Sequence, residues 1–392
     1  MKEVYIVAAK RTAVASFSGA FSSVSATQLG AAAIKAAVEQ AGIKPEDVQE
    51  VLMGNVMSAG IGQAPARQAS KFAGLPNSVI CTTINKVCAS GMKAIMIAAQ
   101  NIMLGEADVI VAGGMENMTN VPYYLSQARN GYRLGHGELT DGLIKDGLWD
   151  VYNNFHMGNA TEGCVKNENI SREDQDKYAI ESYQRAQKAV NEGKFNAEIT
   201  PVEIPQRNAD PLIFDKDEEP FKVKYDKIPT LKPAFDKNGT ITAANASKLN
   251  DGASALVLMS KEKAEALGIK PIARIVAFAD AERAPEEFPL APVNATHKLL
   301  QKTGKTVQDV DLFEVNEAFS AVAIAYMKNL GVPHEKMNIW GGAVALGHPL
   351  GSSGSRICVT LLHALKDTGK KLGVAAICNG GGGASAIMVE IL

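Results

Sequence analysis

The stretch KAAVEQAGIKPEDVQEVLMGNV, from Lys35, returns in diverged form as HKLLQKTGKTVQDVDLFEVNEAF, from His297. Each copy reads as a helix, a glycine turn, a Val-Gln-acid-Val step and a strand that reaches an asparagine. A second pair keeps the same order. CASGMKAIMIAAQNIMLGEADVIVAGG, from Cys88, parallels SSGSRICVTLLHALKDTGKKLGVAAICNGG, from Ser352. Two such copies predict two similar α/β halves packed face to face, sharing one site at their junction.

Within the first copy, VYIVAA, EVLMGNV and DVIVAGG read as strands. TQLGAAAIKAAVEQAG and GMKAIMIAAQNIMLG read as helices that close on Gly42 and Gly105. Within the second, DLFEVNEAF, MNIWGGAV and LGVAAICNGGGGASAIMVEI read as strands, with SRICVTLLHALKDTG as a helix between the last two. The alternation predicts an α/β architecture. Residues from about 118 to 246 are more polar and irregular. Helices begin again there, with Ser171 and Asp174 in a capping pattern, and ADPLIFDKDEEPFKVKYDKIP reads as an exposed excursion. The expected division is 1–117 plus 247–270 as one half, 271–392 as the other, and 118–246 as an inserted loop domain. An insertion of that length is more often functional than idle.

Composition narrows the partners. The 392 residues are 46% hydrophobic and 21% charged, with a formal net charge of -2. Such a balance gives no electrostatic case for nucleic acid or an anionic membrane surface. Lys10 and Arg11 interrupt the short apolar start, so it reads as a first strand rather than a signal peptide. No stretch is expected to span a bilayer, which takes about 20 apolar residues. The five cysteines are odd in number and form no CxxC pair, which argues against a disulfide framework or a zinc cluster and for a reducing compartment.

Four groups could carry chemistry. Cys88, in VCASG, precedes a helix; a buried inert thiol and a nucleophile are both open at this point. Ser90 reads as a helix cap, and Gly91 as a point of close packing. His348, between Gly347 and Pro349, is displayed from a rigid loop, although a structural histidine fits the same pattern. Asn316 stands at a strand end, able to hold a water or a carbonyl, or to cap the next helix. Cys378 leads into four glycines, which suit an oxyanion or a tight turn. Together they suit acyl transfer with carbanion chemistry. A helix N-terminus lowers the pKa of a thiol before it, a histidine takes the thiol proton, and a second thiol exchanges a proton beside a carbonyl.

NKVCASGMKA, NEAF, GGAVALGHPLGSSG and CNGGGGAS, in this order, resemble the signature blocks of thiolases. The likeness runs from EVYIVAAKRT to the C-terminus. It implies the thiolase fold, with the two halves in a layered core and the loop domain covering a coenzyme A site. VYNNFHMG and TAANASKLNDGASALVL resemble the short-chain acetoacetyl-CoA enzymes, acetyl-CoA C-acetyltransferases that work by a ping-pong cycle. The resemblance implies that Cys88 is acylated, His348 deprotonates it, and Cys378 removes the α-proton of a second acetyl-CoA. Asn316 would hold a water that completes one oxyanion hole with His348. The N–H groups of Cys88 and Gly380 would form the other.

For the coenzyme A arm the resemblance implies contacts from His156 and Ser247, with Phe235 and Phe319 lining its channel beside Leu148 and Met157. Phe288-Pro289 resembles a pair in the potassium-activated mitochondrial-type branch, where an aromatic wall shapes a pocket for a 2-methyl group. That branch implies potassium held by the carbonyls of Ala243, Ala244, Ala246 and Val344 plus a tyrosine hydroxyl. The tyrosine position falls on Pro220, which has no hydroxyl to offer. No covalent cofactor is implied. The implied partners are acetyl-CoA, acetoacetyl-CoA and coenzyme A, and the implied assembly is a homotetramer. A cytoplasmic location is expected, with the mitochondrial matrix after transit-peptide removal as the alternative. A degradative 3-ketoacyl-CoA thiolase and a non-catalytic acyl-CoA-binding protein are the competing functions.

Overall fold

The computed structural model describes residues 1–207 and 209–392. In the first copy the elements are β1 (Val4–Thr12), α1 (Ala26–Ala41), β2 (Glu50–Gly54), β3 (Ile80–Ile84), α2 (Ser90–Leu104) and β4 (Val109–Asn117). Helices α3 (Met157–Asn167) and α4 (Arg172–Asn191) follow, then β5 (Asn250–Ser260). The second copy has β6 (Ala273–Glu282), α5 (Ala291–Thr303), β7 (Leu312–Val315), α6 (Ser320–Leu330), α7 (Leu350–Asp367), β8 (Leu372–Asn379) and β9 (Gly383–Ile391).

The strands run β7-β8-β9-β6-β1-β5-β4-β2-β3 in one hydrogen-bonded series. Its two ends mirror each other. β2 pairs parallel with β4, and β4 and β1 pair antiparallel with β5. In the same way β7 pairs parallel with β8, and β8 and β6 pair antiparallel with β9. β1 and β6 meet at Tyr5–Arg274 and Ile6–Ala273, where the two copies join. The repeat in the sequence is a repeat of strand pairing.

Helix ends follow their local chemistry. The Ser25 hydroxyl accepts from the Gln28 N–H and the Gln28 side chain accepts from the Ser25 N–H, so α1 starts with both donors satisfied. α1 and α2 end on Gly42 and Gly105 at φ 67° and 84°, a left-handed turn that costs glycine little. α4 opens on the expected Ser171–Asp174 capping box.

Three apolar clusters separate the layers. Leu29, Ile34 and Val38 of α1 pack on Val51, Val109 and Val257 of the first half. Leu299 and Leu300 of α5 pack on Phe313, Val374 and Met388 of the second. Between the halves, Ile95, Met96 and Ile102 of α2 meet Leu361, Leu362 and Leu365 of α7. Every residue of β4 and β5 is buried, as strands covered on both faces must be. The window Val87–Leu104 is apolar enough in length and mean hydropathy (18 residues, 1.4) to cross a membrane, unlike the sequence expectation. Here it is the middle helix of the core.

Two further expectations change. MNIWGGAV is a turn and a short helix (Ala343–Leu346), not a strand. Asn338 stands at φ 47°, and its side chain accepts from the Val315 N–H at 2.8 Å and donates to the Val315 carbonyl at 2.9 Å. An amide side chain thus satisfies the edge of β7 that a strand would have used. The 209–229 excursion is exposed along Ala209–Ile213, yet Asp217 is buried against the Arg11 guanidinium in a bidentate pair.

Candidate active site

Cys88 lies in the turn between β3 and α2. Val87 takes φ 47°, a left-handed conformation that a β-branched residue adopts only under constraint. The constraint is visible. Ser90 Oγ accepts from the Lys86 N–H at 2.8 Å and donates to the Val87 carbonyl at 2.6 Å. Ser90 is therefore a clasp on the turn, not a helix cap; the cap position belongs to Ala89. Lys86 Nζ reaches Asp280 Oδ1 at 2.6 Å and Ser385 Oγ at 3.1 Å, so the second half grips the turn of the first.

Glycines let the elements close around this turn. A Cβ at Gly91 would lie 2.6 Å from Ser355 Oγ and 2.9 Å from the Gly351 carbonyl. The starts of α2 and α7 meet there at backbone distance. Glu116, at the end of β4, accepts from Asn55 Nδ2, from the Val56 and Met57 N–H groups and from the Gly351 N–H. Burial still pushes its carboxyl up to about 7, against those donors.

His348 sits between the short helix Ala343–Leu346 and α7 and is 5% exposed. Its Nδ1 is 2.6 Å from Ser353 Oγ, and Ser353 donates to the Pro349 carbonyl at 2.9 Å. A hydroxyl has one proton, so Ser353 receives from Nδ1–H and leaves Nε2 unprotonated. Nε2 faces Asn316 Nδ2 at 3.5 Å. Asn316 does not cap α6, whose cap position is Phe319. Its Oδ1 is buried with no hydrogen-bond partner among the described residues.

The turn Gly380–Gly382 joins β8 to β9 as a tight hairpin, and its Gly380 N–H lies near enough to the Cys88 sulfur to favour the thiolate. The tight-turn reading of the glycines therefore holds. Cys378 is buried in an apolar cluster with Met157, Phe288 and Phe319, close enough to feel the charge of Cys88. Burial pushes Cys88 up to about 12, despite the N–H groups of Gly380 and Cys88 itself, and raises Cys378 strongly. The expected lowering of Cys88 by its helix is outweighed by desolvation. Burial and the nearby Arg356 push His348 down to about 3. Burial thus disfavours the charged form of both groups.

Cys88, His348 and Gly380 line one cavity of about 530 Å³, in the size range of ligand pockets. Leu148, His156, Met157, Phe235, Ser247, Phe288 and Phe319 line it too, as do Ala243 and Ala246. His156 Nδ1 accepts from the Gly158 N–H, so Nε2 carries the proton, and its ring stacks on Phe235 at 4.7 Å. Phe235 meets Phe319 edge-on at 6.1 Å. Asn316 and Cys378 are outside the cavity lining but adjoin it, Asn316 through His348 and Cys378 through Met157, Phe288 and Phe319.

The sequence reading missed Phe17, Met118, Leu143 and Leu350, which also line the cavity. It missed Glu317 as well. That buried carboxylate accepts from Tyr178, Ser182, Asn338 and the Val344 N–H, fixing the chain beside Asn316. NEAF itself was the one signal for it. Among the described residues, no three His, Cys, Asp or Glu side chains converge as a metal site.

The first residues of this arrangement match the family description "Thiolase, N-terminal domain" over residues 4–262, and the rest match "Thiolase, C-terminal domain" over residues 269–391. The chain belongs to the thiolase family of acyl-transferring enzymes. It is 55% identical to the mitochondrial acetyl-CoA acetyltransferase of Mus musculus, over 100% of this chain and 92% of that one. It is 53% identical to the cytosolic acetyl-CoA acetyltransferase of Gibberella zeae, over 99% of this chain and 98% of that one. The Acat5 thiolase of Ascaris suum, solved with coenzyme A, superposes with a TM-score of 0.95 at 45% identity and full coverage of both chains. The Bacillus anthracis acetyl-CoA acetyltransferase superposes at 0.98 with 42% identity, covering 100% of this chain and 99% of that one.

Proposed function

We propose that this chain is an acetyl-CoA C-acetyltransferase that reversibly condenses two acetyl-CoA into acetoacetyl-CoA and coenzyme A. The observation that carries the reading is Cys88 and Gly380 in one cavity with a His348 whose Nε2 is free to take a proton. In the first half-reaction the Cys88 sulfur attacks the thioester carbon as its proton passes to His348 Nε2. His348 returns that proton to the departing coenzyme A thiolate. Burial disfavours both the thiolate and the imidazolium, so proton transfer accompanies attack.

In the second half-reaction Cys378 gives its thiol proton to His348 Nε2 and takes the α-proton of a new acetyl-CoA. The resulting carbanion attacks acetyl-Cys88, and the Cys88 thiolate leaves and recovers the proton held on His348 Nε2, which returns all three groups to their neutral state. Negative charge develops on a thioester oxygen in each half. His348 Nε2–H with a water held by Asn316 stabilises one, and the N–H groups of Cys88 and Gly380 the other. His156 Nε2–H and Ser247 hold the pantetheine arm, Phe235, Phe319, Leu148 and Met157 enclose it, and the segment 118–246 serves as its cover. Phe288, buried beside Cys378, forms the wall that accepts a 2-methyl branch.

Incubation with labelled acetyl-CoA should leave one thioester on Cys88, and Cys88→Ser should leave none. Absence of the thioester in the wild type makes the chain a binding protein instead. Efficient thiolysis of 3-ketohexadecanoyl-CoA would favour the long-chain degradative reading. The assembly we infer is a homotetramer, supported by exposed Tyr123, Leu134 and Leu139 on one stretch and exposed Phe72 and Ile80 near the open edge β3. Light scattering should give about four times the 41.5 kDa chain mass.

A further inference from the structure

Lys248 follows Ser247 on the cavity wall, and its side chain turns inward. Nζ donates to the Ala246 carbonyl at 2.9 Å and approaches the Val344 carbonyl at 3.5 Å. It lies 5.5 Å from the centroid of the Tyr183 ring, whose face attracts a cation. Two of the four carbonyls expected to hold potassium are thus turned to an ammonium. Pro220, at the expected tyrosine position, offers only a carbonyl, and that accepts from Gln187 Nε2 at 2.8 Å. The residues here do not fit a potassium ion.

We propose that Lys248 is a tethered cation standing in place of a monovalent metal ion, joining the Ser247 loop to the short helix that leads into His348. An ammonium and a potassium ion carry the same charge and both bind carbonyl oxygens. Val344 is one turn before His348, and its N–H is held by Glu317 Oε2 at 3.1 Å. The Lys248 contact therefore fixes Val344 from its carbonyl side, while Glu317 fixes it from the other. Covalent attachment removes the entropic cost of recruiting an ion. The link to coenzyme A binding rests on the function proposed above.

The test compares wild type, Lys248→Ala and Lys248→Met in KCl, NaCl and tetramethylammonium chloride at equal ionic strength. Acetoacetyl-CoA thiolysis and thermal unfolding are both measured. Wild type should show the same KM and midpoint in all three salts. Lys248→Ala vacates the carbonyls, so KM should rise about tenfold in tetramethylammonium, the scale of one charge-assisted hydrogen bond. KCl should restore that KM and raise the midpoint of this variant. Lys248→Met fills the space without charge and should stay impaired in every salt. Potassium-specific activation or stabilisation of the wild type overturns the proposal. Wild-type behaviour of either variant in every salt overturns it too. If no protein turns over but KCl still stabilises Lys248→Ala alone, the cation assignment stands and the catalytic reading fails.

Discussion

Ser353 decides which nitrogen of His348 is basic, because its hydroxyl spends its own proton on the Pro349 carbonyl. In Ser353→Ala the imidazole proton is free to sit on either nitrogen. Steady-state thiolysis should then show kcat reduced about tenfold or more, a share of the ~10²–10⁴-fold that a placed base contributes. KM should stay unchanged, and Ser353→Thr should keep activity. Wild-type kcat in Ser353→Ala would remove the tautomer argument. Cys378→Ala should still form the labelled Cys88 thioester and fail to release acetoacetyl-CoA; condensation by that variant would displace Cys378 as the acid/base. Cys88, His348, Cys378, Asn316 and Gly380 stood out as candidates because each stands in a short motif with a distinct chemical type, and the structure brings Cys88, His348 and Gly380 to one cavity. Ser353 and Lys248 were not, since a serine in GSSG or a lysine in ASKLND has no meaning until its side-chain partner is known.

At the scale of elements, strand ends of the second half hold the Cys88 turn of the first. Asp280 on β6 binds both Lys86 and Lys93, and these partners outweigh burial, holding its carboxyl down to about 2. A carboxyl lowered on folding contributes stability above its ordinary range of about 4 and loses it as pH falls toward 2. Solvent screening leaves about 1 kcal/mol of that contribution. Urea unfolding between pH 4 and pH 2 should therefore fall less steeply in Asp280→Asn than in wild type; equal slopes would assign Asp280 no role. Gly91→Val should cost about 1–3 kcal/mol by overpacking the start of α2 against Ser355 and Gly351. Helices and their glycine stops were readable from capping residues and period. MNIWGGAV was not, because its apolar run carries no mark that Asn338 would replace a strand with a side chain.

Across the whole molecule, one buried charge cluster connects the first strand to the long insertion. Arg11 pairs with Asp217 and Glu198, all three almost fully enclosed. Removing one partner leaves an uncompensated charge, so Arg11→Met should cost about 3–5 kcal/mol in urea unfolding. A loss under about 1 kcal/mol would show the cluster relaxing into solvent. The sequence by itself determined the α/β class, the duplication and the chemical inventory, because apolar period, glycine stops and repeated motifs are local properties of the chain. Only the tertiary structure decided that the duplicated strands join at β1 and β6 and that burial raises the Cys88 thiol. It also decided that an ammonium occupies carbonyls expected to hold a metal ion. Those outcomes depend on burial and on atoms brought together from distant parts of the chain, which no local pattern records.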